Sequence, residues 1–237
     1  MSGRGELFAI ATEDAEKLSQ AFNKHGDAIR VKRQKIDELN LKIKDADDKI
    51  AILGPEPDRS ELGYYDSEHY KLTSKRMDWD SKIFDLEESL EDKEEKQANA
   101  VRRAHTALTK KYKTSLHLDK AWDGIHRCLS GTQEFDDPTG DQPLSHCILG
   151  GTDLDVDDLV IRLVDLPKVH EVAEHLSWVT EDWFRSRYLW LAEPDFMSRF
   201  THDDDDFNYH WSCIPYIQEF YRKAAEQEML VLFSGDV

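Results

Sequence analysis

From Leu18 the chain keeps an apolar beat of alternating fours and threes: Leu18, Phe22, His25, Ile29, Lys32, Ile36, Leu39, Ile43, Ala46, Ile50 and Leu53. No other pattern in the sequence leaves so little freedom. A repeat of this period, with charges between the knobs, requires a long helix that packs along its length against another helix. His25 and Lys32 are the two polar interruptions. Thr12 opens the helix, with Glu13 and Asp14 at its positive end. The pattern stops at GPEP, Gly54 to Pro57, where Gly suits the left-handed C′ position and the prolines block continuation. A second seam runs Leu72, Arg76, Trp79, Ile83, Leu86, Leu90, Lys93, Gln97, Ala100, Ala104, Leu108. Two such helices joined by one loop read as an antiparallel coiled-coil hairpin, each arm ~60 Å long. A hairpin of this kind serves as a spacer, as a recognition arm, or as a seam shared between two chains in a homodimer.

Charge separates the rest of the chain from the hairpin. Residues 1–115 hold 22 Lys and Arg against 24 Asp and Glu, a net of −2. Residues 116–237 hold 9 against 25, a net of −16. Such a field repels nucleic acid and anionic lipid and speeds encounter with basic proteins. No run of 18 apolar residues exists, so no transmembrane helix is expected. The first residues, MSGRGELFAIATEDAEKL, lack the apolar region of a secretory signal, and the expected location is cytoplasmic. Cys128, Cys147 and Cys213 are odd in number and widely spaced, which suits reduced thiols.

The second half reads as α+β. GELFAIA, VIRLVD and MLVLFS are strand candidates, and the first and last are expected in one sheet. In LDKAWDGIHRCLSGT, Asp119 suits an N-cap and Trp122, Ile125, His126 and Leu129 share one helix face. Gly131 suits its C-cap. Asp165-Leu166-Pro167 begins another helix, expected through Leu176. Ile214, Ile217, Phe220, Tyr221 and Ala224 mark a further one.

LDKAWDGIH, LSGT and PLSHCILGG, in that order, resemble the YfbM-like family of bacterial proteins, a domain of unknown function. RLVDLPKVHEVAEHL resembles that family's strand and helix, YIQEFYRKAAEQEMLVLFSGD its closing helix and strand, and GRGELFAIATEDAEKL its opening pair. The resemblance implies an α+β core from residues 1–24 and 115–237, a small antiparallel-type sheet with packed helices, and an inserted hairpin over 25–114. It implies no activity and no catalytic residues.

HDDDDFNYHW, His202 to Trp211, poses the functional question. Consecutive aspartates do not converge on a metal, and the run has neither the alternation nor the glycine of a calcium loop. No HExxH stands anywhere, so neither metal nor cofactor is expected. General acid/base work needs two carboxylates with separated pKa values, and a solvated run has no shield. A docking loop suits these residues better: Asp203, Asp204, Asp205 and Asp206 steer encounter while Phe207, Tyr209 and Trp211 give anchors. The plain alternative is a solvated loop whose aromatics tuck inward. His126 reads as a core histidine, and Gly150-Gly151 lacks any phosphate-binding frame. The expected function is a non-enzymatic protein-binding module, most concretely an immunity protein that neutralises a basic bacterial toxin. Two alternatives stand beside it: an enzyme with a site near Trp122, His126, Leu144 and the Pro143–Gly151 loop, and a structural adaptor acting through the hairpin.

Overall fold

The structure, a computed structural model, describes residues 4–54, 67–112, 115–132, 143–157, 159–191 and 203–236. Among them are five strands and six α-helices. In chain order these are β1 (Gly5–Ile10), α1 (Thr12–Leu53), α2 (Glu68–Lys111), β2 (Ser115–Asp119), α3 (Ala121–Ser130), β3 (Thr152–Asp153), β4 (Leu159–Val164), α4 (Leu166–Leu176), α5 (Glu181–Leu191), α6 (Asp204–Glu226) and β5 (Leu230–Asp236). The strands form one antiparallel sheet in the order β2-β1-β5-β4-β3. The fold is α+β. The first and last strands share one sheet, as their sequences lead one to expect; they pair directly at its centre, with Leu7 opposite Phe233.

The chain divides into two compact units, Met1–Ala21 with Val101–Val237, and Phe22–Ala100. In the first, the sheet is buried on both faces. Leu7, Val160, Val164, Val231 and Phe233 enter the core formed with α3 to α6. The alternate residues Phe8, Ile10, Ile161, Leu163 and Leu232 are buried on the other face. There the first turns of α1 and the end of α2 contribute buried Ala15, Leu18, Val101 and Leu108, and Phe8 meets His105 edge-on at 6.5 Å. Two covered faces explain why LFAI, LVIRLV and LVLF read as nearly unbroken apolar runs rather than alternating ones.

Local signals place most helix ends. Asp165 caps α4, its carboxylate accepting the Lys168 N–H at 3.1 Å. Gly131 closes α3 at φ 69°, and Gly54 follows α1 at φ 81°. Asp119 does not cap α3. It is the last residue of β2, at φ 46°, where the β1–β2 register shifts, and Lys120 occupies the cap position without a side-chain bond. The shift at the Gly5/Glu6 bulge carries the chain past the cap geometry that Asp119 needs.

In the second unit α1 and α2 run antiparallel. The Gln97 amide donates to the Phe22 carbonyl (2.6 Å), Lys32 to the Ser89 carbonyl (3.2 Å), and Arg76 meets Asp47 (2.7 Å). Ile29, Leu39, Ala46, Ile83 and Ala98 are buried, and Arg33 pairs with Glu94 at 2.6 Å.

Candidate functional site

The acidic stretch is not a loop. Asp203 is the N-cap of α6 and its carboxylate accepts the Asp206 N–H at 2.8 Å. Asp204, Asp205 and Asp206 fill the first turn, where the unsatisfied N–H groups and the helix dipole favour negative charge. The helix then runs through Pro215 to Glu226, held by the buried stripe Phe207, His210, Ile214, Ile217, Tyr221 and Ala224. His202 lies outside the described residues.

Much of this negative charge is committed within the fold. Arg185 on α5 pairs with Asp204 at 3.0 Å and lies 3.7 Å from the centre of the Phe207 ring. The Tyr188 hydroxyl donates to the Asp206 carboxylate, and His210 Nδ1 donates to the Asp206 carbonyl at 2.8 Å. Phe207 is core, 1% exposed, with its ring centre 5.5 Å from that of Tyr188. Trp211 is half-buried against Phe184 at 5.8 Å. Of the seven residues proposed for docking, Asp203, Asp204, Asp205 and Tyr209 face solvent. The Tyr209 hydroxyl reaches Asp119 Oδ2 at 3.3 Å. Partial burial, and then the neighbouring Asp119 carboxylate, push the Tyr209 phenol above its ordinary range.

One residue escaped the sequence reading. Tyr216 is 67% exposed, seven positions beyond Tyr209 (41%), so both lie on the solvent face of α6 with Asp205 one turn before. The signal was present in SCIPYIQEF: Tyr216 falls opposite the stripe of Ile214, Ile217 and Tyr221.

The second candidate, Trp122, His126 and Leu144, is brought together in the core. Trp122 and His126 are fully buried and Leu144 is 9% exposed. Trp122 packs against Phe233 with ring centres 5.1 Å apart and planes tilted by 51°. Leu144–Cys147 forms a 3-10 turn whose Cys147 carbonyl accepts the Tyr221 hydroxyl at 2.7 Å. The paired glycines after it serve close packing. A Cβ on Gly150 would lie 2.2 Å from His146 Cα, and one on Gly151 2.2 Å from the Leu163 carbonyl oxygen. His146 is held below its ordinary pKa by burial and then by Lys168. Burial raises the Cys128 and Cys147 thiols far above the usual thiol range, so neither supplies a thiolate nucleophile. Among the described residues no group of three or more His, Cys, Asp or Glu is placed to hold a metal ion. Among them too, no helix is long and apolar enough to cross a membrane.

The crystal structure of YfbM from Escherichia coli, a protein of unknown function, is similar to this chain with a TM-score of 0.46 and 21% identity, over 60% of this chain and 92% of that one. No curated protein sequence is significantly similar to it. The family model for the domain of unknown function DUF1877 matches residues 1–234, from the first strand through the last and including the paired long helices, and the chain therefore belongs to the DUF1877 family.

Proposed function

We propose that this protein is a non-enzymatic binding module that engages a basic protein, most concretely an immunity protein that neutralises a cationic bacterial toxin by direct contact. The observation that carries the reading is the exposed pair Tyr209 and Tyr216 on the solvent face of α6, in the half of the chain with a net charge of −16. Tyrosines offer large rigid contact area at low entropic cost and are enriched at interface centres. The surrounding negative field steers a cationic partner and disfavours nucleic acid. Asp205 and the carboxylate of Asp119 beside Tyr209 supply local charge, while Asp203, Asp204 and Asp206 chiefly serve the helix end.

The test uses a secreted toxin encoded beside this protein's gene. Calorimetric titration with that toxin is expected to show tight binding that weakens with salt. Tyr209→Ala and Tyr216→Ala should each weaken it ~30-fold or more, and Asp205→Asn should flatten the salt dependence. Absence of binding, or full affinity in the Tyr209→Ala/Tyr216→Ala double variant, overturns the reading.

A further inference from the structure

We infer that the arm formed by Phe22–Ala100 is also a self-association surface, on which a second copy of this chain docks about a two-fold axis. This inference rests on the outer side of the hairpin and is independent of the partner-binding reading. The inner seam is occupied by contacts within the chain, including Gln97 with Phe22 and Lys32 with Ser89. A dimer that shared that seam would have to displace them.

The Arg33–Glu94 bridge marks one broad side of the hairpin, because it joins the flank of α1 to the flank of α2. Stepping by threes and fours from Glu94 gives Glu91, Glu87, Phe84, Asp80 and Met77. Stepping likewise from Arg33 gives Arg30, Asp37, Asn40 and Lys44. The α2 stripe thus carries four carboxylates and no base, together with two large exposed apolar side chains, Phe84 (67%) and Met77 (64%). The α1 stripe carries three bases and one acid.

These opposite signs on one side of one hairpin select the occupant. A two-fold axis makes a surface self-complementary: whatever α1 of one copy offers to α2 of the other, the reverse contact repeats. The basic stripe of each copy then meets the acidic stripe of its partner, and Phe84 and Met77 leave water at both contacts. A basic partner protein would meet the α2 stripe favourably but would be repelled by Arg30, Arg33 and Lys44.

Charge swaps test this in the full chain. Arg30→Glu/Lys44→Glu makes both stripes acidic, and Glu87→Lys/Glu91→Lys turns the α2 stripe toward basic. Apart from Arg30 with its helix neighbour Asp27, neither pair of sites makes an ion pair shown in the fold. Sedimentation should give the unaltered protein a mass twice 27.6 kDa at about 100 µM. Each charge variant alone should be monomeric, with Kd raised at least ~100-fold, and a one-to-one mixture of the two should recover the dimer. Phe84→Ser should also be monomeric, with helical circular dichroism unchanged. An unaltered protein that is monomeric overturns the inference. So does a charge variant that still dimerises alone, or a mixture that stays monomeric.

Discussion

The Tyr112 hydroxyl donates to Asp14 Oδ2 at 2.6 Å and accepts the Ala11 N–H at 2.9 Å. One phenol thereby joins the end of β1, the first turn of α1 and the end of α2. Lys111 adds an ammonium to the same carboxylate, which is almost fully buried. Removing the hydroxyl leaves a buried carboxylate short of a donor. Tyr112→Phe should therefore cost about 1–3 kcal/mol in urea unfolding.

Acid should act through the same carboxylate. The Lys111 ammonium, then the Tyr112 hydroxyl, hold Asp14 down at about 2, against an ordinary value of 3.8. A carboxyl depressed in the folded state stabilises the protein above its unfolded pKa and loses that contribution as pH falls through the folded one. The contribution of Asp14 is thus complete above about pH 4 and gone below about pH 2. Stability measured across that window should fall less steeply in Asp14→Asn, which starts lower, than in the unaltered protein.

Gly150→Ala should destabilise by about 2–4 kcal/mol, because the new methyl would meet the His146 backbone, which cannot swing aside. Gly54→Ala is the control. Its φ is positive, unlike that of Gly150, but nothing lies within 4 Å, so only the backbone term of about 1 kcal/mol remains. Equal thermal shifts for the two would contradict the close packing described for PLSHCILGG.

Thiol labelling should separate the cysteines. Cys128 and Cys147 are fully buried with raised thiol pKa, whereas Cys213 is half-buried. In the native protein a thiol reagent should modify Cys213 alone, slowly, and all three thiols after unfolding. Rapid native labelling of Cys147 would place the 3-10 turn in an open position.

Asp203→Ala removes a cap and should cost about 1 kcal/mol. Any binding defect in that variant is confounded by helix fraying, which is why Asp205, Tyr209 and Tyr216 are the cleaner probes of the α6 face.

Elements with strong periodicity or explicit punctuation were legible in the sequence. The two long helices follow from their seams, α4 from Asp165 and Pro167, and the presence of β1 and β5 in one sheet from their apolar runs. What escaped depended on neighbours. β2 and β3 are too short to show a period and exist because β1 and β4 offer them edges. The start of α6 was hidden by four aspartates, poor helix formers in isolation but favoured in a first turn, and by Pro215, which sits in the interior at a cost that the buried stripe offsets. The assignment of Phe207 and Trp211 as exposed anchors failed for the same reason: once the stretch is helical, a 3.6-residue period turns them inward and leaves Tyr209 and Tyr216 outside.

The pairing of β1 with β5 has a bearing on how the molecule is made. On the ribosome, Leu7 emerges long before Phe233, with α1 to α6 between them, so the middle of the sheet stays open until β5 has emerged. The hairpin has no such wait, since both its arms emerge well before β5. A nascent chain therefore carries a finished arm and an unclosed apolar sheet at once, and stalling or truncation just short of Leu230 should yield a sticky, aggregation-prone species rather than a smaller folded one.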